Sequence, residues 1–257
     1  MPQRHFCWYE LMTTDVDAAS AFYGSVVGWK AEDMPMSGMT YTLLKADGAL
    51  AGGMMPLPQD ACDMGVPPCW TGYVHVDDVD GDAARVTSLG GRMHKPPQDI
   101  PKVGRFAVVS DPLGAVFNLF CPTPPGGESV HLYFMQPGHA GWHELHSKDW
   151  QKVFSFYEAM FGWSRGDAID MGPLGTYQLF NIGEQSVGGV FNSPGVTQKS
   201  FWLYYFAVGN IDAAVERITR GGGKVTNGPM EVPGGAWIVE AADPQGAMFA
   251  LLGDRKV

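Results

Sequence analysis

The sequence predicts an α+β chain of two tandem domains. Each domain holds two strand–helix–strand–strand–strand modules that form a curved mixed sheet with helices on its outer face. Three observations predict this. The stretch "WYELMTTDVDAASAFYGSVVGW" (8–29) returns as "WHELHSKDWQKVFSFYEAMFGW" (142–163). The stretch "DPLGA" (111–115) returns as "DPQGA" (243–247). Within each copy, strand-like alternation and helix-like periodicity follow one another in the same order twice.

The offsets define the repeat. Glu10 matches Glu144, Phe22-Tyr23 matches Phe156-Tyr157, and Gly28-Trp29 matches Gly162-Trp163, all 134 residues apart. Gly52-Gly53 matches Gly188-Gly189 at 136, and the DPxG segments match at 132. Such small drift is what loop insertions leave in a duplicated chain. Domain one is read as 1–124 and domain two as 140–257. The linker, 125–139, follows from the Pro/Gly-rich "PTPPGGES" (122–129).

Each module opens on a strand, "CWYELMTT" in the first, with apolar and polar residues alternating. Asp15 stands at an N-cap position ahead of "VDAASAFYGSVV". There Val16, Ala19, Phe22-Tyr23 and Val26-Val27 make one apolar helical face, and Gly28 supplies the stop. Strands "TYTLLKAD" and "LAGGMMPL" follow. The second module repeats the order. "GYVHVDD" is a strand and "VDGDAARVTSLGG" a helix ended by glycines. "RFAVVSD" and "AVFNLFC" are strands joined by the turn "DPLG".

Composition narrows the function. The 257 residues are 45% hydrophobic and 17% charged, with a formal net charge of −10. That negative field, with no run of Lys/Arg, argues against a nucleic-acid partner. No apolar run approaches the about 18 residues of a membrane span, and the start lacks a signal-peptide pattern. Cys7, Cys62, Cys69 and Cys121 match no zinc spacing and read as reduced thiols. The expectation is a cytoplasmic protein, either a monomer that is a pseudo-dimer of domains or a homodimer. No GxSxG, GxGxxG or GxxxxGK[ST] occurs, so serine-hydrolase and phosphate-loop chemistry find no motif.

The module order, with "AFYGSVVGW" after the first helix and "DPLGAVFNLF" at the end, resembles the vicinal oxygen chelate superfamily. That superfamily takes in glyoxalases, bleomycin-resistance proteins and extradiol dioxygenases. The resemblance covers nearly the whole chain as two tandem glyoxalase-like domains. It implies βαβββ modules paired into a cup, often with a divalent metal held by His, Gln or Glu. At the positions matching the family's ligands this chain has Trp8, Gly53, Thr71 and Asn118 in copy one. In copy two it has Trp142, Gly189, Leu203 and Ala250. None is His or Glu, so no metal or other cofactor is expected.

On a strand, alternate residues share a face. Trp8, Glu10 and Met12 therefore line one wall, and Trp142, Glu144 and His146 its repeat. Tyr73, His75 and Asn118 join the first set by the same parity. Aromatic walls with a few polar groups suit a small, partly apolar ligand. Glu10 and Glu144 are the candidate catalytic groups, because a buried carboxylate can serve as a general base. The bland reading is a carboxylate satisfied by backbone N–H groups or an arginine. Trp8, Tyr73, His75, Asn118, Trp142 and His146 are the candidate ligand-binding residues. Glu144 and His146 share a face and offer two metal ligands, so a divalent metal there is the open alternative. Copy one keeps more polar inward groups and is read as the active half. The rival function is an enzyme of the same fold acting on a small carbonyl or aromatic compound.

Overall fold

The structure, a computed structural model, describes residues 4–36, 38–123, 133–194 and 199–255. Of the proposed linker, residues 125–132 lie outside these and 133–139 form turns.

Copy one supplies strands β1 (Phe6–Thr13), β2 (Lys30–Met36), β3 (Met39–Ala46), β4 (Ala49–Pro56), β5 (Cys69–His75), β6 (Arg92–Ile100), β7 (Gly104–Ser110) and β8 (Val116–Pro122). Its helices are α1 (Val16–Val26), the short α2 (Gln59–Asp63) and α3 (Val79–Ser88). Copy two supplies β9 (Ala140–Ser147), β10 (Ser164–Asp170), β11 (Thr176–Ile182), β12 (Gln185–Asn192), β13 (Phe201–Val208), β14 (Lys224–Glu231), β15 (Trp237–Ala242) and β16 (Met248–Gly253). Its helices are α4 (Trp150–Phe161) and α5 (Ile211–Arg220).

The strands form two eight-stranded mixed sheets in the same order, β2-β3-β4-β1-β5-β8-β7-β6 and β10-β11-β12-β9-β13-β16-β15-β14. In each module the first strand runs parallel to the last, as β1 with β4, β5 with β8, β9 with β12 and β13 with β16. The helix after the first strand makes the crossover this topology requires. This is the predicted α+β architecture of two tandem domains.

Every crossover helix opens on an Asx cap. Asp15, Asp78, Asp149 and Asn210 accept from the backbone N–H three residues on, at Ala18, Gly81, Lys152 and Ala213. Helix α4 ends on Gly162 in the left-handed conformation, φ 71°. Helix α1 buries Ala19, Phe22, Tyr23 and Val26.

Packing divides the chain into two compact units, and each draws on both copies. One comprises Met1–Cys7, Gly72–Ser129 and Trp142–Leu203. In it Phe117, Phe161, Trp163 and Trp202 gather around Tyr157, with ring centroids 5.2–6.3 Å away. Arg85 of α3 donates to the Ala159 carbonyl at 2.6 Å. Arg4 pairs with Asp82 at 2.8 Å and donates to the Met160 carbonyl at 3.0 Å. These cations meet carbonyls in the last turn of α4, which no backbone N–H of the helix satisfies.

The other unit comprises Trp8–Thr71, Val130–Gly141 and Tyr204–Val257. Here Trp29, Trp70 and Phe249 surround Tyr23. Arg217 of α5 donates to the Val26 carbonyl at 2.9 and 3.2 Å, the same device at the end of α1. A β-carbon on Gly221 or Gly223 would press on the Phe22 ring at 2.8–2.9 Å, so these glycines admit the α1 ring.

Candidate functional site

The repeated Trp-x-Glu becomes a three-residue hydrogen-bonded chain, and its middle member comes from a different strand. In copy two the Trp142 indole N–H donates to the Tyr177 hydroxyl at 2.8 Å. That hydroxyl donates to Glu144 Oε2 at 2.7 Å. In copy one Trp8 donates to the Tyr41 hydroxyl at 2.8 Å, and Tyr41 hydrogen-bonds Glu10. Burial, and then the Glu10 charge, push the Tyr41 hydroxyl well above the ordinary tyrosine range. The phenol therefore stays protonated and keeps donating.

Glycine makes this reach feasible. Tyr41 lies on β3 and Glu10 on β1, with β4 between them. On β4 the residue paired with Glu10 is Gly53, and on β12 the partner of Glu144 is Gly189. A β-carbon at Gly53 would clash with the hydroxyl end of the Tyr41 ring, and one at Gly189 with the same end of the Tyr177 ring. The ring thus crosses an entire strand over a residue without a side chain. Gly52 and Gly188 have a different role. A β-carbon there would strike the Tyr9 or His143 carbonyl on the neighbouring strand.

Glu10 and Glu144 are each 7% exposed. Their partners are tyrosines rather than the backbone N–H groups or arginine that the sequence alone suggests. A signal was available, because Tyr41 and Tyr177 in "TYTLL" and "TYQLF" share the offset of the Gly-Gly pairs.

His146 extends the copy-two chain. Its Nε2 is 2.8 Å from Glu144 Oε1, an ion-pair distance without hydrogen-bond alignment. Its Nδ1 is 3.0 Å from Ser193 Oγ. The ring stacks on Phe201, with centroids 4.5 Å apart at 12°, and meets Phe191 at 63°.

The remaining predicted residues take other places. Tyr73 and the buried Asn118 are paired across β5 and β8, so they share a face. The matching pair across β13 and β16 is Tyr205 with Ala250. His75 is half-buried and stacks on His5, centroids 5.9 Å apart. Trp8 and Glu10 belong to one compact unit, whereas Tyr73, His75 and Asn118 belong to the other. Trp142, Glu144 and His146 all lie in a single unit.

The motifs that frame the repeat form a second Trp–Tyr–carboxylate chain. Tyr157 donates to Asp111 Oδ2 at 3.1 Å and accepts from Trp202 at 2.9 Å. Tyr23 does the same with Asp243 and Trp70, at 3.1 and 2.9 Å. Each aspartate's Oδ1 also takes two backbone N–H groups of its DPxG turn. These are structural locks, deep in the two aromatic clusters.

Among the described residues, no three His, Cys, Asp or Glu side chains stand together as a metal-binding set. Nor is any described helix long and apolar enough to cross a membrane.

Two βαβββ modules per copy, joined in this strand order, define the class of protein. The family model for the Glyoxalase/Bleomycin resistance protein/Dioxygenase superfamily matches residues 5–119 and again 137–251, and the chain belongs to that superfamily. It is 32% identical to CFP32 of Mycobacterium tuberculosis, which carries a glyoxylase name, over 95% of this chain and 93% of that protein. It is 32% identical to the anthracycline biosynthesis protein DnrV of Streptomyces peucetius, over 95% of this chain and 91% of the other. The fold is similar to that of an Mn(II)-bound glyoxalase from Novosphingobium aromaticivorans. That comparison has a TM-score of 0.66 at 16% identity and covers 99% of this chain and 83% of the other. It is also similar to the 2,3-dioxygenase LapB from Pseudomonas sp. KL28, with a TM-score of 0.65 at 11% identity, covering 98% of this chain and 92% of that one.

Proposed function

We propose that this protein binds a small, partly apolar organic molecule against the Trp–Tyr–Glu face of its modules, and does so without a metal. The observation that carries the reading is the duplicated chain of Trp8, Tyr41 and Glu10, and of Trp142, Tyr177 and Glu144. Each places an indole beside a hydroxyl and a fixed carboxylate, a surface that offers one apolar plane and oriented polar groups. The donor set supports the metal-free reading. The positions matching the family's ligands hold Trp142, Gly189, Leu203 and Ala250 in copy two, none with a donor for a divalent ion, and in copy one Trp8 and Gly53 beside only the neutral oxygens of Thr71 and Asn118; each glutamate is already engaged by a tyrosine. Relatives carrying glyoxylase and anthracycline biosynthesis names support small organic molecules as the ligand class.

The test is a calorimetric screen of small aromatic and carbonyl compounds, with metal content measured on the same protein. Trp8→Ala and Trp142→Ala should each weaken binding at their own copy, by about tenfold for a lost aromatic contact. Unchanged affinity in both would sink the assignment. Near-stoichiometric metal would sink the metal-free part of it.

The second reading is an enzyme of this fold, favoured by the 2.8 Å approach of His146 to Glu144. In that case Glu144→Gln should cost roughly 10²-fold or more in rate. A binder of neutral apolar molecules should change little.

A further inference from the structure

The two copies differ at one corner of an otherwise repeated site. Where copy two has His146, copy one has Met12, at the offset that relates Glu144 to Glu10. Where copy two has Ser193, copy one has Leu57, at the offset that relates Gly189 to Gly53. Both polar residues in copy two are replaced together by apolar ones in copy one.

In copy two they are connected. Ser193 Oγ is 3.0 Å from His146 Nδ1, and His146 Nε2 is 2.8 Å from Glu144 Oε1. A carboxylate oxygen 2.8 Å from Nε2 favours the tautomer with its hydrogen on that nitrogen even without alignment, because the alternative holds a nitrogen lone pair and an anion at close range. Nδ1 is then the acceptor, and the Ser193 hydroxyl donates to it. The carboxylate supplies charge beside the base, in the order nucleophile, base, carboxylate. Tyr177 fixes the other carboxylate oxygen. Phe201 and Phe191 hold the ring from its face and edge and carry no charge. His146 and Glu144 are each 7% exposed, whereas Ser193 is half-buried and Phe201 is 39% exposed. The open end of the chain is therefore the serine, and the Phe201 ring stacked on His146 is itself accessible.

We propose that Ser193, His146 and Glu144 form a proton-accepting relay ending at the Ser193 hydroxyl. Copy two would then take a ligand bearing an acidic hydroxyl, a phenol or an enol. The proposal rests on small-molecule binding at copy two, and it makes copy two rather than copy one the reactive half. The step is a double proton transfer. The ligand O–H breaks and its proton goes to Ser193 Oγ, while the Ser193 proton passes to His146 Nδ1. The serine stays neutral, the ligand leaves as its anion, and the imidazolium faces the Glu144 carboxylate. No oxidant or other reactant is consumed.

Two measurements on the full chain test this. Ring ¹⁵N NMR of the histidines at neutral pH should show His146 with its hydrogen on Nε2; hydrogen on Nδ1 instead would overturn the relay. The second measurement titrates p-nitrophenol, followed by its phenolate absorbance, alongside its O-methyl ether p-nitroanisole. Bound p-nitrophenol should ionise about one pH unit below the free compound. Ser193→Ala and His146→Gln should abolish that shift, and Ser193→Thr should retain it. A shift that survives Ser193→Ala overturns the proposal. If p-nitrophenol and p-nitroanisole bind alike with no shift, the relay fails and small-molecule binding stands. If neither binds, the binding reading falls, and the relay with it.

Discussion

Tyr157 donates its hydroxyl hydrogen to Asp111 across 3.1 Å and so joins a helix of the second copy to a turn of the first. The same hydroxyl accepts from Trp202 at 2.9 Å. Tyr157→Phe keeps the ring and removes both bonds, stranding a buried carboxylate oxygen and a buried indole N–H. The expected cost is about 1–3 kcal/mol in denaturant unfolding, with Tyr23→Phe matching it through Asp243 and Trp70. A change below a few tenths of a kcal/mol in both would show that these chains do not lock the fold.

Burial also sets a pH dependence. It pushes Asp111 and Asp243 above the usual aspartate range, against the backbone and tyrosine donors that pull them down. Between the ordinary value of 3.8 and the raised folded value, the folded protein holds more protons than the unfolded one. These two groups therefore make stability fall as pH rises through that window. The double variant Asp111→Asn/Asp243→Asn should flatten this slope in a series of unfolding midpoints taken from pH 3 to pH 6. An unaltered slope would mean that other carboxylates govern the range.

The cross-copy pairing predicts that the copies do not fold separately. Helix α1 caps its last turn with Arg217 of α5, and Tyr23 is tied to Asp243. Residues 1–124 expressed alone lose every one of these partners and uncover the part of the α1 apolar face that Phe249 and α5 meet. Such a fragment should show no cooperative thermal transition and should be digested rapidly by protease. Cooperative unfolding of the fragment would refute the prediction.

Much of the fold is legible in the sequence, and what is not has identifiable causes. The four crossover helices announce themselves by Asx caps and apolar periodicity, as at Asp15 and Asp149. Strands β2, β6 and β10 do not, because they lie at or near sheet edges with most side chains exposed, so period-two alternation is absent. Strand β6 even holds Pro96 and Pro97, which an edge tolerates. Trp8 and Glu10 stand out because they repeat on one strand; Tyr41 repeats too, but its contact crosses β4 over Gly53, which strand parity does not reveal. The pairing of Tyr157 with Asp111 is hidden for another reason. A duplicated chain offers each tyrosine two identical DPxG partners, and local pattern does not distinguish the nearer copy from the other one.

Gly189 and Tyr177 should be strongly coupled. Gly189→Ala drives a methyl group against the hydroxyl end of the Tyr177 ring, so the ring must shift and the bond to Glu144 must break. Overpacking of this kind costs about 1–3 kcal/mol. With Tyr177→Ala already present, the added methyl has nothing to strike, and its own cost should nearly vanish. The double-mutant cycle should thus give a coupling of about 1 kcal/mol or more. Additive effects would show that the glycine is not there to admit the ring.

The ionisation of Glu10 can be read from a cysteine beside it. Burial and then the charge of Glu10 hold the Cys69 thiol up at about 11. Cys7 is buried and is pushed to about 12 by burial. Cys62 is exposed. A small alkylating reagent at pH 8 should therefore modify Cys62 first and leave Cys7 and Cys69 largely intact, because the thiolate is the reacting species. Glu10→Gln removes the negative charge while keeping the shape. The thiolate at Cys69 then becomes less costly, and its modification should accelerate several-fold relative to Cys62, which serves as the internal standard. Peptide mass mapping over time separates the two sites. If Cys69 reacts no faster in the variant, Glu10 carries no charge at that pH, and a role for it as a general base in copy one is excluded. If it does react faster, the carboxylate is ionised while hydrogen-bonded to Tyr41, the state that a base or an anchor for a polar ligand group requires.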